Sequence, residues 1–267
     1  MHNAGVPRRR VARSSLRKSE WLRWLLSLGS FILLWWGIVW IFRIPDYILP
    51  SPLQTASALI GDARLLAQHA IYTLVESVVG LVAALALGVS VALVMHAVPW
   101  VRYLAYPHLV LMQAIPLIAV APILIVWFGF GALPKVLVVM FVCFFPVAVN
   151  AFEGFRSVDP TLREVLDAFG ANRWALYKHL YIPATVPAIL AGAKIAATYA
   201  VLGAVIGEWL GGSNGIGVYM TRAQRSFRVD RLFASVLLVM LLSFLLFKLV
   251  EGLGSLSTPW LRRRSSS

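Results

Sequence analysis

VESVVGLVAALALGVSVALVMHAV, residues 75–98, is a run of twenty-four residues with one charged side chain, Glu76. A bilayer core needs about 20 mostly apolar residues in a helix, so this run is long enough to cross one. Gly80, Ala84, Gly88 and Ala92 recur every four residues along it. Lipid supplies no hydrophobic drive between helices, so close approach depends on small side chains of this kind. Gly192, Ala196, Ala200 and Ala204 repeat the pattern inside a second apolar run, 187–207. These two helices should sit in protein contact, unless Gly and Ala are here only because membrane helices are rich in them.

Working outward, four more runs meet the same length: 24–42, 103–134, 136–152 and 232–250. The fold class that follows is all-α, a polytopic bundle of six transmembrane helices occupying residues 24–261. The composition agrees, with 60% apolar or aromatic residues and 13% charged, against about 25% charged in an ordinary soluble domain. The first run follows a basic leader, as a secretion signal would, but it ends in Arg43-Ile44-Pro45 with no small-residue cleavage pattern and reads as a retained helix. Its Leu, Trp and Phe residues suit lipid. The third run is broken up by Pro107, Pro116 and Pro122. The single cysteine, Cys143, excludes a disulfide framework, and His69, His96 and His108 have no metal-ligand spacing, so no metal is assigned.

A net charge of +13 would suit nucleic acid only if it were spread over a surface. Instead it is concentrated at the ends, in a leader (1–23) with Arg8, Arg9, Arg10, Arg13, Arg17, Lys18 and Arg23, and a tail (262–267) with Arg262, Arg263 and Arg264. Two basic ends around an apolar body are what anionic lipid holds on the cytoplasmic face, which excludes nucleic acid as the partner. Six crossings put both termini on that side. Seventeen of the twenty-four basic residues then fall inside, although Arg222, Arg225, Arg228 and Arg231 fall outside, before the last span.

The loop 153–186 is polar enough to leave the membrane and patterned enough to be structured. Asp159 is an N-cap with Pro160 at the first helical position, and Gly170 is placed to end that helix in a left-handed turn. Asn172 caps a second helix, 173–180, which Pro183 should stop before Thr185 opens the fifth span. Arg173, Trp174, Tyr177, Lys178 and His179 crowd this second helix. Their basic and aromatic character suits a docking element for a protein, or equally a helix lying on lipid headgroups.

Glu164-Val165-Leu166-Asp167-Ala168-Phe169-Gly170, followed after nine residues by Leu180-Tyr181-Ile182-Pro183, resembles the cytoplasmic signature of permease subunits of bacterial ABC importers. Glu164, Gly170 and Pro183 stand at the spacing of that signature, whereas Val165 and Leu166 replace its two alanines. Tyr47-Ile48-Leu49-Pro50-Ser51-Pro52, Gln113-Ala114-Ile115-Pro116, Ala121-Pro122, Trp127-Phe128-Gly129-Phe130-Gly131 and Gly207-Glu208-Trp209 resemble the branch serving nitrate, sulfonates, taurine and thiamine precursors. Glu76 departs from that branch, where Arg is frequent. The resemblance implies a type I importer permease in the inner membrane. It would pair with a second permease copy, take solute from an extracytoplasmic solute-binding protein and be driven by two cytosolic ATPase subunits. It also implies that Glu164, Gly170, Asn172, Arg173, Trp174, Tyr177, Lys178 and Pro183 belong to the ATPase-docking element. The chain has no G-x-x-x-x-G-K-[ST] loop, so ATP would be bound by the partner and no cofactor or catalytic residue is expected here.

Polar groups inside the spans are the candidates for the solute path, because each is costly unless paired or wetted. Gln113 beside the break at Pro116 is foremost, since a proline frees a backbone carbonyl that is tolerated only against protein or a watery cavity. Asn150 and Thr198 join it; each of the three side chains alternatively bonds a neighbouring helix. Lys194 and Glu76 are expected to snorkel to opposite interfaces, and Glu208 to tie down the turn 211–215. Arg222 and Arg225, with Arg228 and Arg231, would fan across half a helix and hold acidic groups of a binding protein, or form a solvated face partly neutralised by Asp230. A secondary transporter would call for inverted repeats and paired mid-membrane acids, and a membrane enzyme for a cluster of acids or ligands at one interface. Neither pattern is present in the sequence.

Overall fold

The computed structural model describes residues 13–257; the leader's Arg8, Arg9 and Arg10 and the tail's Arg262, Arg263 and Arg264 lie outside the described residues. The described chain is a succession of eleven α-helices: α1 (Arg13–Ile41), α2 (Pro52–Gly61), α3 (Ala63–Ala97), α4 (Pro99–Met112), α5 (Leu117–Phe128), α6 (Ala132–Arg156), α7 (Pro160–Ala168), α8 (Arg173–Leu176), α9 (Ile182–Gly211), α10 (Ile216–Arg225) and α11 (Val229–Ser257). Local chemistry sets several of the ends. Ser51 and Gln54 form a reciprocal capping box at the start of α2, with Pro52 in the first turn. Asp159 accepts from Thr161 N–H at 2.9 Å, and Asn172 from Ala175 N–H at 2.8 Å.

The core is three helices deep, with α6 lying between α3 and α9. A side-chain carbon added at Gly80 of α3 would fall 2.5 Å from Val139 Cβ, and one at Gly88 would fall 2.8 Å from Val147 Cγ1. From the other side, a carbon at Gly192 of α9 would fall 2.7 Å from the Pro146 carbonyl oxygen. Both small-residue stripes therefore admit α6, and α3 and α9 touch each other beside it. Leu81, Val139, Cys143, Val147, Val201, Leu246 and Val250 are buried together, as α11 closes over α9. α1 stays outside, its Trp36 and Trp40 exposed and its Trp35 ring 5.8 Å from Phe233 of α11.

Gly192→Leu is expected to lower the melting temperature of the purified protein clearly, since overpacking a filled core costs about 1–3 kcal/mol. Gly252→Leu on α11, with nothing within 4 Å of the added carbon, should melt as the wild type does. Equal melting of the two variants, followed by tryptophan fluorescence in detergent, would refute the α6–α9 contact.

The count of six spans is not exactly confirmed. Among the described residues, four stretches are long and apolar enough to cross a membrane: Ala63–Ala97, Ala132–Arg156, Arg173–Gly211 and Val229–Ser255. The run 103–134 is not a straight crossing, because α4 and α5 meet at 106° and make a fifth span only if the bent pair counts as one. Hydropathy counts apolar residues, whereas direction is decided at 113–116, where Pro116 has no N–H to continue the ladder. α1 runs from Arg13, inside the basic leader, to Ile41 and so carries the first apolar run on one helix.

Pro183 does not stop the helix after 173–180. Residues Arg173–Gly211 form one continuous helical stretch of 39 residues, widened into a π-turn at Tyr177–Tyr181. A proline in a regular helix clashes with the carbonyl four residues before it, and the wider turn directly ahead of Pro183 absorbs that misfit.

Candidate functional site

One end of the bundle carries α7 and α8. Gly170 has φ +77°, its N–H donates to Asp167 O at 3.0 Å, and Ala171 N–H donates to Leu166 O at 3.0 Å. That left-handed turn sends the chain from α7 into α8 within a few residues. No residue of α7 is buried, and Leu162, Val165, Phe169 (85% exposed) and Trp174 (70% exposed) leave an apolar strip uncovered beside exposed Glu164, Arg173 and Lys178. Tyr177 is turned inward instead. Its hydroxyl lies 2.9 Å from His96 Nδ1 of α3, and the His96 ring stacks on Phe155 of α6 and meets Tyr181 edge-on. Pro183 is half-buried inside the continuous helix. The exposed strip is thus tied through Tyr177 to the ends of α3 and α6.

At mid-bundle, the bend between α4 and α5 opens a cavity of about 410 Å³. Gln113 and Asn150, thirty-seven positions apart in sequence, both line it, with Phe141, Phe145, Ile195 and Tyr199. The Asn150 amide nitrogen donates to Pro146 O at 2.7 Å. Pro116 forms the bend itself. Thr198 lies outside the lining, exposed, with its hydroxyl donating to Ile195 O at 2.7 Å.

The opposite end holds a buried polar group of side chains that the sequence analysis did not assemble. Glu76 does not snorkel outward: it is 5% exposed and paired with Lys135 of α6, itself 6% exposed. Glu208 of α9, 1% exposed, accepts from the Thr73 hydroxyl at 2.7 Å and from Gly217 N–H at 2.6 Å. Thr73 also accepts from Ile216 N–H at 2.9 Å, and His69 Nδ1 from Gly215 N–H at 3.0 Å. Glu208 therefore ties down the start of α10, as expected of it, but through α3 as well as through its own turn. A carbon added at Gly215 would strike the Glu208 carboxylate, so the turn closes only on glycine. The available signal was the spacing of His69, Thr73, Glu76 and Ser77, which puts four polar residues on one face of α3. Lys135, fifty-nine positions from Glu76, gave none.

The four arginines do not share a helix. Arg222 and Arg225 end α10, the chain then turns at Phe227 (φ +53°), and Arg228 and Arg231 lie past that corner. Arg228 forks onto Asp230 at 2.8 and 3.0 Å, which holds its guanidinium even more firmly charged. Arg231 pairs with Asp62 at 2.9 Å. Tyr219 donates to that same carboxylate at 2.6 Å, and burial together with Asp62 pushes its hydroxyl pKa up. Arg222, reaching Ser213 O at 3.5 Å, and Arg225 are exposed and have no carboxylate partner among the described residues, so these two remain of the proposed fan. Among the described residues, no group of three His, Cys, Asp or Glu side chains is placed to hold a metal ion.

A family model described as binding-protein-dependent transport system inner membrane component matches residues 84–263. The chain is 35% identical over 219 residues to the formylaminopyrimidine transport permease protein ThiX of Halalkalibacterium halodurans, covering 82% of this chain and 88% of the relative. It is 31% identical to the riboflavin transport system permease protein RibX of Chloroflexus aurantiacus, covering 92% and 93%, and 28% identical to the taurine transport system permease protein TauC of Escherichia coli, covering 91% and 94%. Among solved structures, the MetNI methionine ABC transporter in inward-facing conformations superimposes with a TM-score of 0.63 at 16% identity, over 73% of this chain and 96% of that one.

Proposed function

Because the chain belongs to the family of binding-protein-dependent transport system inner membrane components and is a permease subunit of an ABC importer, we propose that the 410 Å³ cavity is part of its solute path and the α7–α8 end its ATPase dock. It is no enzyme; ATP hydrolysis belongs to a separate subunit. In this reading a second copy of the permease completes the path, both termini are cytoplasmic with the basic ends against lipid, and the α10 end faces the solute-binding protein. The solute is small and polar or anionic, of the sulfonate, taurine, nitrate or thiamine-precursor type. Gln113 and Asn150 offer it amide groups, the break at Pro116 offers backbone, and Thr198 stands beside the cavity. Arg222 and Arg225 would meet acidic groups of the binding protein.

The observation that carries the docking assignment is the uncovered apolar strip of Leu162, Val165, Phe169 and Trp174. Buried aromatic anchors supply most of the energy of a protein interface, and a lipid-facing helix would not need a capped, left-handed turn to aim them. Glu164, Asn172, Arg173 and Lys178 would rim that contact. A push on α8 passes along the continuous helix into α9, and through Tyr177 and His96 into α3. Phe169→Ala combined with Trp174→Ala should reduce co-purification of the ATPase from native membranes at least about tenfold, an interface loss of about 1.4 kcal/mol. Full co-purification with the double variant would reject the dock.

A further inference from the structure

Glu76 raises a question of charge that the importer reading does not answer. Its Oε1 accepts from the Lys135 ammonium, but its Oε2 is buried and has no hydrogen-bond partner. In the same buried group stands the Glu208 carboxylate, held by Thr73 one turn before Glu76 on α3 and next to Gly207, which packs against Lys135; its two oxygens already accept from Thr73 and Gly217. Two acceptor-only groups facing one another repel, and a proton between them turns the contact into a hydrogen bond.

The surrounding charges lead to the same place. From α3 come Glu76 and His69, and the latter is neutral at Nδ1 because it accepts there from Gly215 N–H. From α6 comes Lys135, and from α9 Glu208. From α10 come exposed Arg222 and Tyr219, the latter in its own cluster with Asp62 and Arg231. The buried set thus holds two carboxylates against one ammonium. A net charge buried in a membrane domain is expensive, and one added proton removes it.

We propose that Glu76, Glu208 and Lys135 form a proton-binding site, in which Glu76 Oε2 carries one exchangeable proton and donates it to the Glu208 carboxylate while Lys135 balances the remaining charge. Glu76 and Lys135 also line an open cleft of about 630 Å³, rimmed by Tyr72, Phe130 and Trp209, and this gives the proton a way to exchange with water. The bound proton joins α3 to α9 directly beneath the turn that carries α10.

The test is infrared spectroscopy of the full chain in lipid nanodiscs at neutral pH. The wild type should show a protonated-carboxyl stretching band that shifts in heavy water. Glu76→Gln and Glu208→Gln should each remove it, because either leaves a single carboxylate opposite Lys135, and Glu153→Gln at the other end should keep it. A wild type without the band, or a band that survives in both buried variants, overturns the proposal. So does a missing band with a melting temperature that rises with sodium, which would assign the place to a metal cation. None of these readouts depends on transport, so a failure here and a failure of the docking assignment are separate results.

Discussion

Lys135→Met is expected to destabilise the bundle by about 3 kcal/mol or more, the usual consequence of removing one partner from a buried ion pair. The lysine is 6% exposed and, among the described residues, supplies the one buried positive charge opposite two buried carboxylates. Methionine fills a similar volume, so the loss would be electrostatic rather than a cavity. Adding Glu208→Gln to Lys135→Met should recover part of the stability, because the carboxylate that Lys135 balanced becomes a neutral amide. The two variants are compared by thermal melting in detergent. A wild-type melting temperature for Lys135→Met alone would put the Glu76–Lys135 pair in water rather than in the core.

Gly170→Pro should reduce uptake in cells to below about a tenth of wild type, equivalent to more than about 1.4 kcal/mol of lost coupling. Proline holds φ near about −65°, and the native value is +77°, so the turn between α7 and α8 cannot form. The hydrogen bond from Gly170 N–H to Asp167 O goes as well. No side-chain crowding is involved, since nothing lies within 4 Å of an added carbon. Gly170→Ala should therefore suffer only the backbone penalty of about 1 kcal/mol and keep partial uptake. Both variants should melt near wild type, because no residue of α7 is buried. Normal uptake by Gly170→Pro in cells carrying the ATPase and binding protein would remove α7 and its turn from the coupling route.

The parts of the candidate site that were legible in the sequence share one property: their chemistry acts over a few residues. Asp159 and Asn172 were readable as caps because a side-chain oxygen bonds an N–H two or three positions on. Gly170 was readable because a helix ending before it needs positive φ. Pro183 misled for the same local reason, since the π-turn that accommodates it is set up by the packing of Tyr177 and Tyr181 against His96. Gln113 and Asn150 were each noticed as polar groups in apolar runs, but that they line one cavity depends on the 106° bend.

The sequence by itself determined that this chain is a membrane helix bundle, where α7 starts and ends and where α8 starts, and that two of the spans carry stripes small enough for close contact. Apolar length, caps and glycine spacing are properties of single segments, fixed before any segment meets another. Only the tertiary structure decided that both stripes close on α6, that Glu76 points inward to Lys135, and that Arg228 and Arg231 are neutralised while Arg222 and Arg225 are not. These depend on how each helix is rotated about its axis and on what the facing helix presents at the same depth. An ion pair spanning fifty-nine residues is set by that rotation, which the packing of α3, α6 and α9 fixes all at once.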